Sequence, residues 1–300
     1  MLPAIPSFYD SIRQWMTLLI VNKSCAGLLI VILVQKDRHS PVGSLSLEGN
    51  VARFAKIMCT MLLVFGLLGA QGEAAQKVLF DTGHGERFQI GEKGPLQLSE
   101  LAETFTAAGL KVAGLEKPIS DESLADAGGL VLSAAFMPLQ PEEIEAVVSF
   151  MQRGGRLAVM LHIAPPLASL LERLGVTYTN GVIEERENII DGNPHEFRVT
   201  RLGSHPLLKG ITEFSLYGVW GIMNLDDRAR VIASTSSRAW VDLHRDKIQT
   251  KGETASFGVV CAGDLGKGGF LVFGDDAIFQ NKFLDANNKA LAVNLADWFK

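Results

Sequence analysis

From residue 77 onward the chain alternates two hydrophobic rhythms. Apolar runs of about five residues give way to stretches in which apolar residues recur three and four apart. The first pattern marks buried strands and the second the inner face of a helix. Lys77–Asp81 is a strand ending in an aspartate, and Thr82-Gly-His-Gly-Glu86 follows as a polar turn with two glycines. After a loop to Pro95, Ser99 is placed to cap a helix with Glu100 in its first turn. Leu101, Phe105 and Ala108 share its face, and Gly109 stops it. Strands follow at Leu110–Leu115 and Leu130–Ala135. Pro141 suits the first turn of a second helix, with Ile144, Val147, Val148 and Met151 facing inward and Gly154-Gly155 at its end. Leu157–Leu161 is the fourth strand, and Pro165-Pro166 opens a helix that carries Leu167, Leu170, Leu171 and Leu174 on one face.

This alternation predicts parallel βαβ units with helices on both faces of a sheet. Beyond Val176 the texture changes. Phe197–Thr200, Phe214–Tyr217, Arg230–Ser234, Ala239–Leu243 and Ser256–Cys261 read as short strands, antiparallel additions or an extended edge. Gly269–Gly274 is an unbroken apolar strand expected at the centre of the sheet. Asp285 is placed to cap a last helix, where Leu291, Leu295 and Trp298 share a face. The expected fold is an α/β three-layer sandwich, flavodoxin-like, with a mostly parallel sheet and antiparallel additions. With no internal repeat or low-complexity linker, residues 76–300 read as one domain.

The front of the chain has a different character. Arg53 and Lys56 precede twelve uncharged residues, Ile57–Leu68, and then the small residues around Gly72 and Ala74. That is the layout of a secretory signal peptide over 51–75. Twelve apolar residues are too few to span a bilayer, which takes about 20. A signal starting this late makes residues 1–50 an extension from a start codon placed too early. The alternative is a membrane anchor at roughly 15–34, with Lys23 inside it at a cost of about 3 kcal/mol. Either way the segment points to an exported protein, periplasmic or held at the cell envelope, with the N-terminal apolar segments as its route to the membrane.

Removing that front sharpens the charge. Of 28 basic and 33 acidic side chains, 6 and 4 lie before residue 76, which leaves 22 and 29 and a net charge of −7. An acidic domain offers no basic face for nucleic acid. Cys25 and Cys59 fall in the front, so Cys261 is alone in the mature chain and forms no intrachain disulfide. A lone thiol in a strand-like run reads as a small buried hydrophobe.

Gly154-Gly-Arg-Leu-Ala-Val159, His205-Pro-Leu-Leu-Lys-Gly210, and Gly269-Phe-Leu-Val-Phe-Gly-Asp-Asp276 followed by Asn288, Asn294 and Trp298 resemble, in their order, the class I glutamine amidotransferase-like superfamily. The likeness is greatest to its non-catalytic bacterial branch. That branch includes exported or membrane-bound proteins known as a domain of unknown function and the auxiliary subunit of gliding-motility-type ABC transporters. Its eukaryotic relative is an intraflagellar transport protein. The resemblance covers most of 77–300. Catalytic members carry a cysteine on a sharp turn after the strand that corresponds to 157–161. Here that turn reads Leu161-His-Ile-Ala-Pro165, without a cysteine or a glycine elbow, and no late histidine–glutamate pair is visible. Without a thiolate nothing attacks a glutamine amide, so the resemblance implies a non-catalytic domain.

Six polar residues carry the remaining chemistry. Asp81, His84, Glu86, His162, Asp275 and Asp276 each follow a presumed parallel strand, at the sheet end where open α/β folds bind ligands. If those strands are neighbours, the six line one pocket fit for a divalent metal or for acid and base work. The plainer alternative is that they cap helices and tie down loops. His205-Pro206 reads as a turn entry, His195 and His244 as surface residues, Glu184–Glu187 as a solvated loop and Lys267-Gly-Gly269 as a tight turn. Trp220 and Trp240 stay open between core and rim. The expected function is an exported binding or accessory domain for a small ligand, a glycan or an envelope protein, with no required cofactor. The alternative is a hydrolase, metal-assisted or not, built on Asp81, His84, His162 and Asp275.

Overall fold

The computed structural model describes residues 76–300. The expected signal peptide, the extension before it, and Cys25 and Cys59 lie outside the described residues. In chain order the elements are β1 (Lys77–Asp81), α1 (Ser99–Ala107), β2 (Lys111–Leu115), β3 (Gly129–Ser133), α2 (Pro141–Gln152), β4 (Arg156–Met160), α3 (Ala168–Arg173) and β5 (Val176–Val182). There follow β6 (Ile189–Ile190), β7 (Asn193–Val199), β8 (Arg201–Leu202), β9 (Phe214–Tyr217), β10 (Trp220–Asn224) and β11 (Arg230–Ser234). The chain ends with β12 (Gly258–Leu265), β13 (Gly268–Phe273) and α4 (Ala286–Trp298).

Five parallel strands form the heart of the main sheet in the order β2-β1-β3-β4-β13. Past β13 the sheet turns antiparallel through β12, β10 and β5, with β11 and β8 branching from β12. A second antiparallel sheet runs β6-β7-β9. The fold is the expected flavodoxin-like α/β sandwich with antiparallel additions.

The parallel strands are apolar on both faces because both faces are covered. Val78 and Phe80 of β1, Ala158 and Met160 of β4, and Leu271 and Phe273 of β13 pack under α1 and α4. Their alternates Leu79, Leu157, Val159, Phe270 and Val272 pack under α2 and α3. Phe105 of α1 meets both Phe80 and Phe299, at centroid separations of 5.7 and 5.5 Å, and so pins the first crossover helix to the chain's C-terminus. Among the described residues no helix is long and apolar enough to cross a membrane.

Several local expectations change. Ser99 is the first residue of α1 rather than its cap, and its hydroxyl instead meets the Asn281 amide at 3.0 Å. Pro165–Leu167 forms a 3-10 turn before α3 begins. Ala239–Leu243 is no strand. Only Trp240 pairs there, bridging Glu184 and Thr254, and its ring is buried. Glu185 is no solvated loop residue. Its buried carboxylate accepts from the Ser236 backbone at 2.8 Å and hydroxyl at 2.6 Å. His205 enters its turn with extended backbone and accepts from the Leu207 N–H at 3.1 Å, as expected of a residue before proline.

One glycine links the fold to the strand ends. At Gly274, just past β13, the Val219–Trp220 segment crosses so closely that a Cβ would collide with the Trp220 carbonyl and meet Val219 at 2.8 Å. In return Trp220 N–H donates to the Gly274 carbonyl at 2.8 Å. Gly274→Ala is therefore expected to destabilise the chain by about 3 kcal/mol, in the range of overpacked cores. Urea unfolding monitored by tryptophan fluorescence measures it, and a loss within experimental error would show that the crossing yields freely.

Candidate functional site

The order β2-β1-β3-β4 reverses direction between β1 and β3. That reversal is the topological switch point, where ligands settle beyond the carboxyl ends of the strands in open α/β sheets. The loops leaving β1 and β3 flank it. The β1 loop holds its own shape: Gly83 N–H reaches Asp81 Oδ1 at 3.3 Å, and His84 N–H donates to Glu86 Oε2 at 2.8 Å. Gly85 makes the bend at φ +78°, a left-handed conformation that favours glycine. The His84 carbonyl accepts from Phe136 and Met137 N–H, both at 2.9 Å, and ties this loop to the one after β3. There Ala134 sits at φ 56°, strained for a non-glycine residue, as its N–H reaches across to the Met160 carbonyl at 3.0 Å.

Four titratable side chains meet at the switch point. His84 Nδ1 lies 2.6 Å from Asp81 Oδ2, and its Nε2 lies 3.1 Å from Glu143 Oε2. Asp81, His84, Glu86 and Glu143 are all buried. The Asp81 hydrogen bond outweighs burial and, with Glu143 helping, raises the His84 pKa to about 9, so the ring is a cation at neutral pH. Glu86 is pushed up to about 8 by burial and by the nearby Asp81 carboxylate. Glu143 goes the other way. Burial opposes its charge, but the Gln140 N–H, the His84 ring and the Ile119 N–H hold its pKa below the usual carboxylate range.

Glu143 is the residue that strand-end reasoning misses, because it sits in the first turn of α2. The signal was present: Gln140-Pro141-Glu142-Glu143 places a glutamate three residues past a helix cap, where its side chain reaches back to the cap N–H. It does so at 2.8 Å from Gln140 N, and Oε1 accepts from Ile119 N at 3.0 Å. An open cleft of about 600 Å³ lies over this corner, lined by Gly83, His84, Glu116, Ile119, Met137 and Glu143 among others.

His162, Asp275 and Asp276 form a separate group. β3 lies between β1 and β4, and strands are about 4.8 Å apart, so the end of β4 is about 10 Å from the end of β1. His162 Nδ1 lies 3.1 Å from Asp276 Oδ1, and Asp276 Oδ2 accepts from Gln280 Nε2 at 3.1 Å. The His162 side chain remains 42% exposed, and the Asp276 contact raises its pKa. Phe88 and Phe136 stand beside the ring at 5.5 and 5.3 Å, and the Arg87 guanidinium lies 5.1 Å over Phe136. Trp220 Nε1 donates to the His162 carbonyl at 3.0 Å.

Asp275 is not available to a ligand. Oδ2 accepts from Tyr217 N–H at 2.6 Å and Oδ1 from Ala277 N–H at 2.8 Å, and the side chain is fully enclosed. The six residues therefore do not line one pocket. Three gather with Glu143, two pair nearby, and Asp275 binds backbone. Cys261 is buried in β12, where burial pushes its thiol up to about 12.

Burial, reinforced by Asp276, pushes Asp275 up to about 7 from the ordinary 3.8. A raised pKa means that the folded chain holds the proton more tightly than the unfolded chain. That stabilisation is complete below about pH 4 and is lost as pH rises to about 7. Asp275→Asn stays neutral throughout, so the stability of the native chain relative to this variant is expected to fall by about 3 kcal/mol between pH 4.5 and 7.5. Urea unfolding of both proteins across that range measures the difference. A pH-independent difference would place Asp275 at its ordinary pKa.

The comparisons with known proteins follow this architecture. The mmIFT52 N-terminal domain is similar over 74% of this chain and 96% of its own, at 16% identity and a TM-score of 0.60. The cytoplasmic protein STM1381 from Salmonella typhimurium LT2 is similar over 75% and 100%, at 15% identity and a TM-score of 0.50. A putative ThuA-like protein from Bacteroides uniformis covers 77% and 93%, at 16% identity and a TM-score of 0.48. At such identities these likenesses describe the fold alone. No curated protein matches the chain. A family model described as a domain of unknown function, DUF4350, matches residues 91–296 and so begins just after the Asp81–Glu86 loop. The chain belongs to the DUF4350 family.

Proposed function

We propose that this chain is an exported, non-catalytic binding domain that recognises its ligand or partner at the β1/β3 switch point, within a transport or envelope assembly. The observation that carries the reading is the turn after β4. Catalytic relatives of the amidotransferase-like fold would present a cysteine there, and this chain has Leu161-His-Ile-Ala-Pro165. Cys261, the cysteine among the described residues, is enclosed in the sheet with its thiol protonated. At the switch point His84 has both ring nitrogens engaged, which suits a rigid wall better than a proton shuttle. The cleft beside it is open, with an apolar floor at Ile119, Met137 and Pro138 and carboxylates at Glu116 and Glu142. Export rests on the signal-like stretch at 51–75, and placement beside a transporter rests on the resemblance of the sequence motifs.

A hydrolase is the second reading, and one observation favours it. His162 is exposed and backed by the buried Asp276, an arrangement that suits a general base. The reaction would then centre on His162 and Asp276 rather than on His84 and Asp275.

Two measurements separate these readings. A photo-crosslinking residue at the exposed Met137, in the full chain expressed in its own cells, is expected to capture an envelope component, whereas one at the exposed Val293 of α4 is not. Equal labelling at both positions would remove the cleft as the binding surface. Chromogenic esters, phosphomonoesters and glycosides are expected to show no turnover above background. Turnover that His162→Ala abolishes in a chain with unchanged melting temperature would establish the hydrolase instead. The mature N-terminus, read by mass spectrometry, is expected near Gln76, and any peptide from residues 1–50 would overturn the early-start reading.

A further inference from the structure

We propose that Asp81, His84 and Glu86 bind one divalent transition-metal cation of the Zn²⁺ or Mn²⁺ type, with Glu143 as the outer carboxylate that orients the imidazole. The proposal rests on the reading of the switch point as the binding end of the sheet, and it supplies the chemistry of that site. One donor atom from each of the three residues lies within 4.8 Å of the others, and all three side chains are buried.

The independent sign is an orphan oxygen. Glu86 is 8% exposed, and its Oε2 accepts from His84 N–H, but its Oε1 is enclosed without a hydrogen-bond partner. A buried carboxylate oxygen left alone is unfavourable, because no hydrogen bond replaces the water it has lost. The sequence spaces the three donors as Asp-x-x-His-x-Glu on one short loop, with Gly85 letting the backbone turn between His84 and Glu86.

Glu143 decides which nitrogen is offered. Its oxygens already accept from Gln140 N–H and Ile119 N–H, and it takes the His84 Nε2 proton at 3.1 Å. A histidine that donates one ring N–H to a carboxylate presents its other nitrogen as a ligand, the usual outer arrangement around a protein-bound metal. In the metal-free chain Nδ1 carries a proton and donates to Asp81 Oδ2 at 2.6 Å, which still leaves Glu86 Oε1 without a partner. A divalent cation that displaces the Nδ1 proton would be met by one donor atom each from Asp81, His84 and Glu86. One imidazole and two carboxylates suit Zn²⁺ or Mn²⁺, while Mg²⁺ prefers an all-oxygen octahedron.

The test uses the full chain, stripped with a chelator and titrated with Zn²⁺ by calorimetry and with Mn²⁺ by electron paramagnetic resonance. One equivalent of at least one ion is expected to bind, with Mg²⁺ at least tenfold weaker. Glu86→Gln is expected to weaken binding at least tenfold, and Glu143→Gln tenfold to a hundredfold. His162→Ala, at the neighbouring strand end, is expected to bind as the native chain does. If Glu86→Gln fails to fold by circular dichroism, Glu143→Gln and Asp81→Asn carry the same test. No saturable binding of either ion to the folded chain would overturn the site, as would native affinity in the Glu86 variant. A crosslink at Met137 without metal binding defeats the metal and leaves the binding domain standing. Metal binding without that crosslink does the reverse.

Discussion

The Glu143 carboxylate is the contact on which this end of the molecule depends. It sits in the first turn of α2, where the helix dipole favours negative charge. From there it accepts from its own helix cap, from the Ile119 N–H on the segment before β3, and from the His84 ring beyond β1. Three stretches of chain that leave the sheet separately are drawn onto one pair of oxygens. Hydrogen bonds to a charged acceptor are worth about 1.5–3 kcal/mol each, more than neutral ones. Removing the carboxylate would leave two backbone N–H groups and an imidazole without their acceptor. The cleft owes its wall to this contact, since Ile119, His84 and Glu143 all line it.

Strand spacing then divides the polar residues. The β1 and β4 ends are too far apart for short side chains to meet, and the loop after β3 fills the gap with Phe136 and Met137. On the β1 side Asp81, His84, Glu86 and Glu143 are all buried. On the β4 side His162 is held by a buried aspartate and left open to solvent between aromatic rings. A locked cluster defines shape and field, while an exposed, oriented imidazole is free to exchange protons. The two readings of function correspond to these two halves, and so one variant at each half separates them.

The fold was largely legible because its strands are buried on both faces. Runs such as Leu157–Leu161 and Gly269–Gly274 carry a signal that turn residues on either side delimit, and their boundaries shifted by only one residue in the structure. The antiparallel part was harder. β5, Val-Thr-Tyr-Thr-Asn-Gly-Val, and β10, Trp-Gly-Ile-Met-Asn, are short, half-polar and broken by glycine, so long-range pairing with each other makes them strands. Ala239–Leu243 shows the converse, a largely apolar run in which only Trp240 forms β-bridges. The strand-end residues were legible as types and not as a set. Adjacency of β1, β3, β4 and β13 could be expected, but the partners of each carboxylate could not. Asp275 and Asp276 are neighbours in sequence, yet one binds backbone and the other a histidine.

The remaining question is why a chain with no cysteine on the turn after β4 keeps so many acids at its strand ends. Loops can be tied down by neutral side chains, as Asn288 does here by accepting from Ser215 N–H and donating to the Ser215 and Phe283 carbonyls. Burying carboxylates is costlier, because each charge must be desolvated and then answered. Asp285 achieves the same tie in partial exposure, capping α4 through Asn287 and Asn288 N–H. Asp81, Glu86 and Glu143 are different, for they are enclosed together around a single imidazole. One histidine cation does not balance three carboxylates, so the cluster must hold a further proton or a further cation. A helix cap needs neither. In the metal-free chain Glu86, pushed up to about 8, is the group that holds that proton, and the proposed cation would take the proton's place.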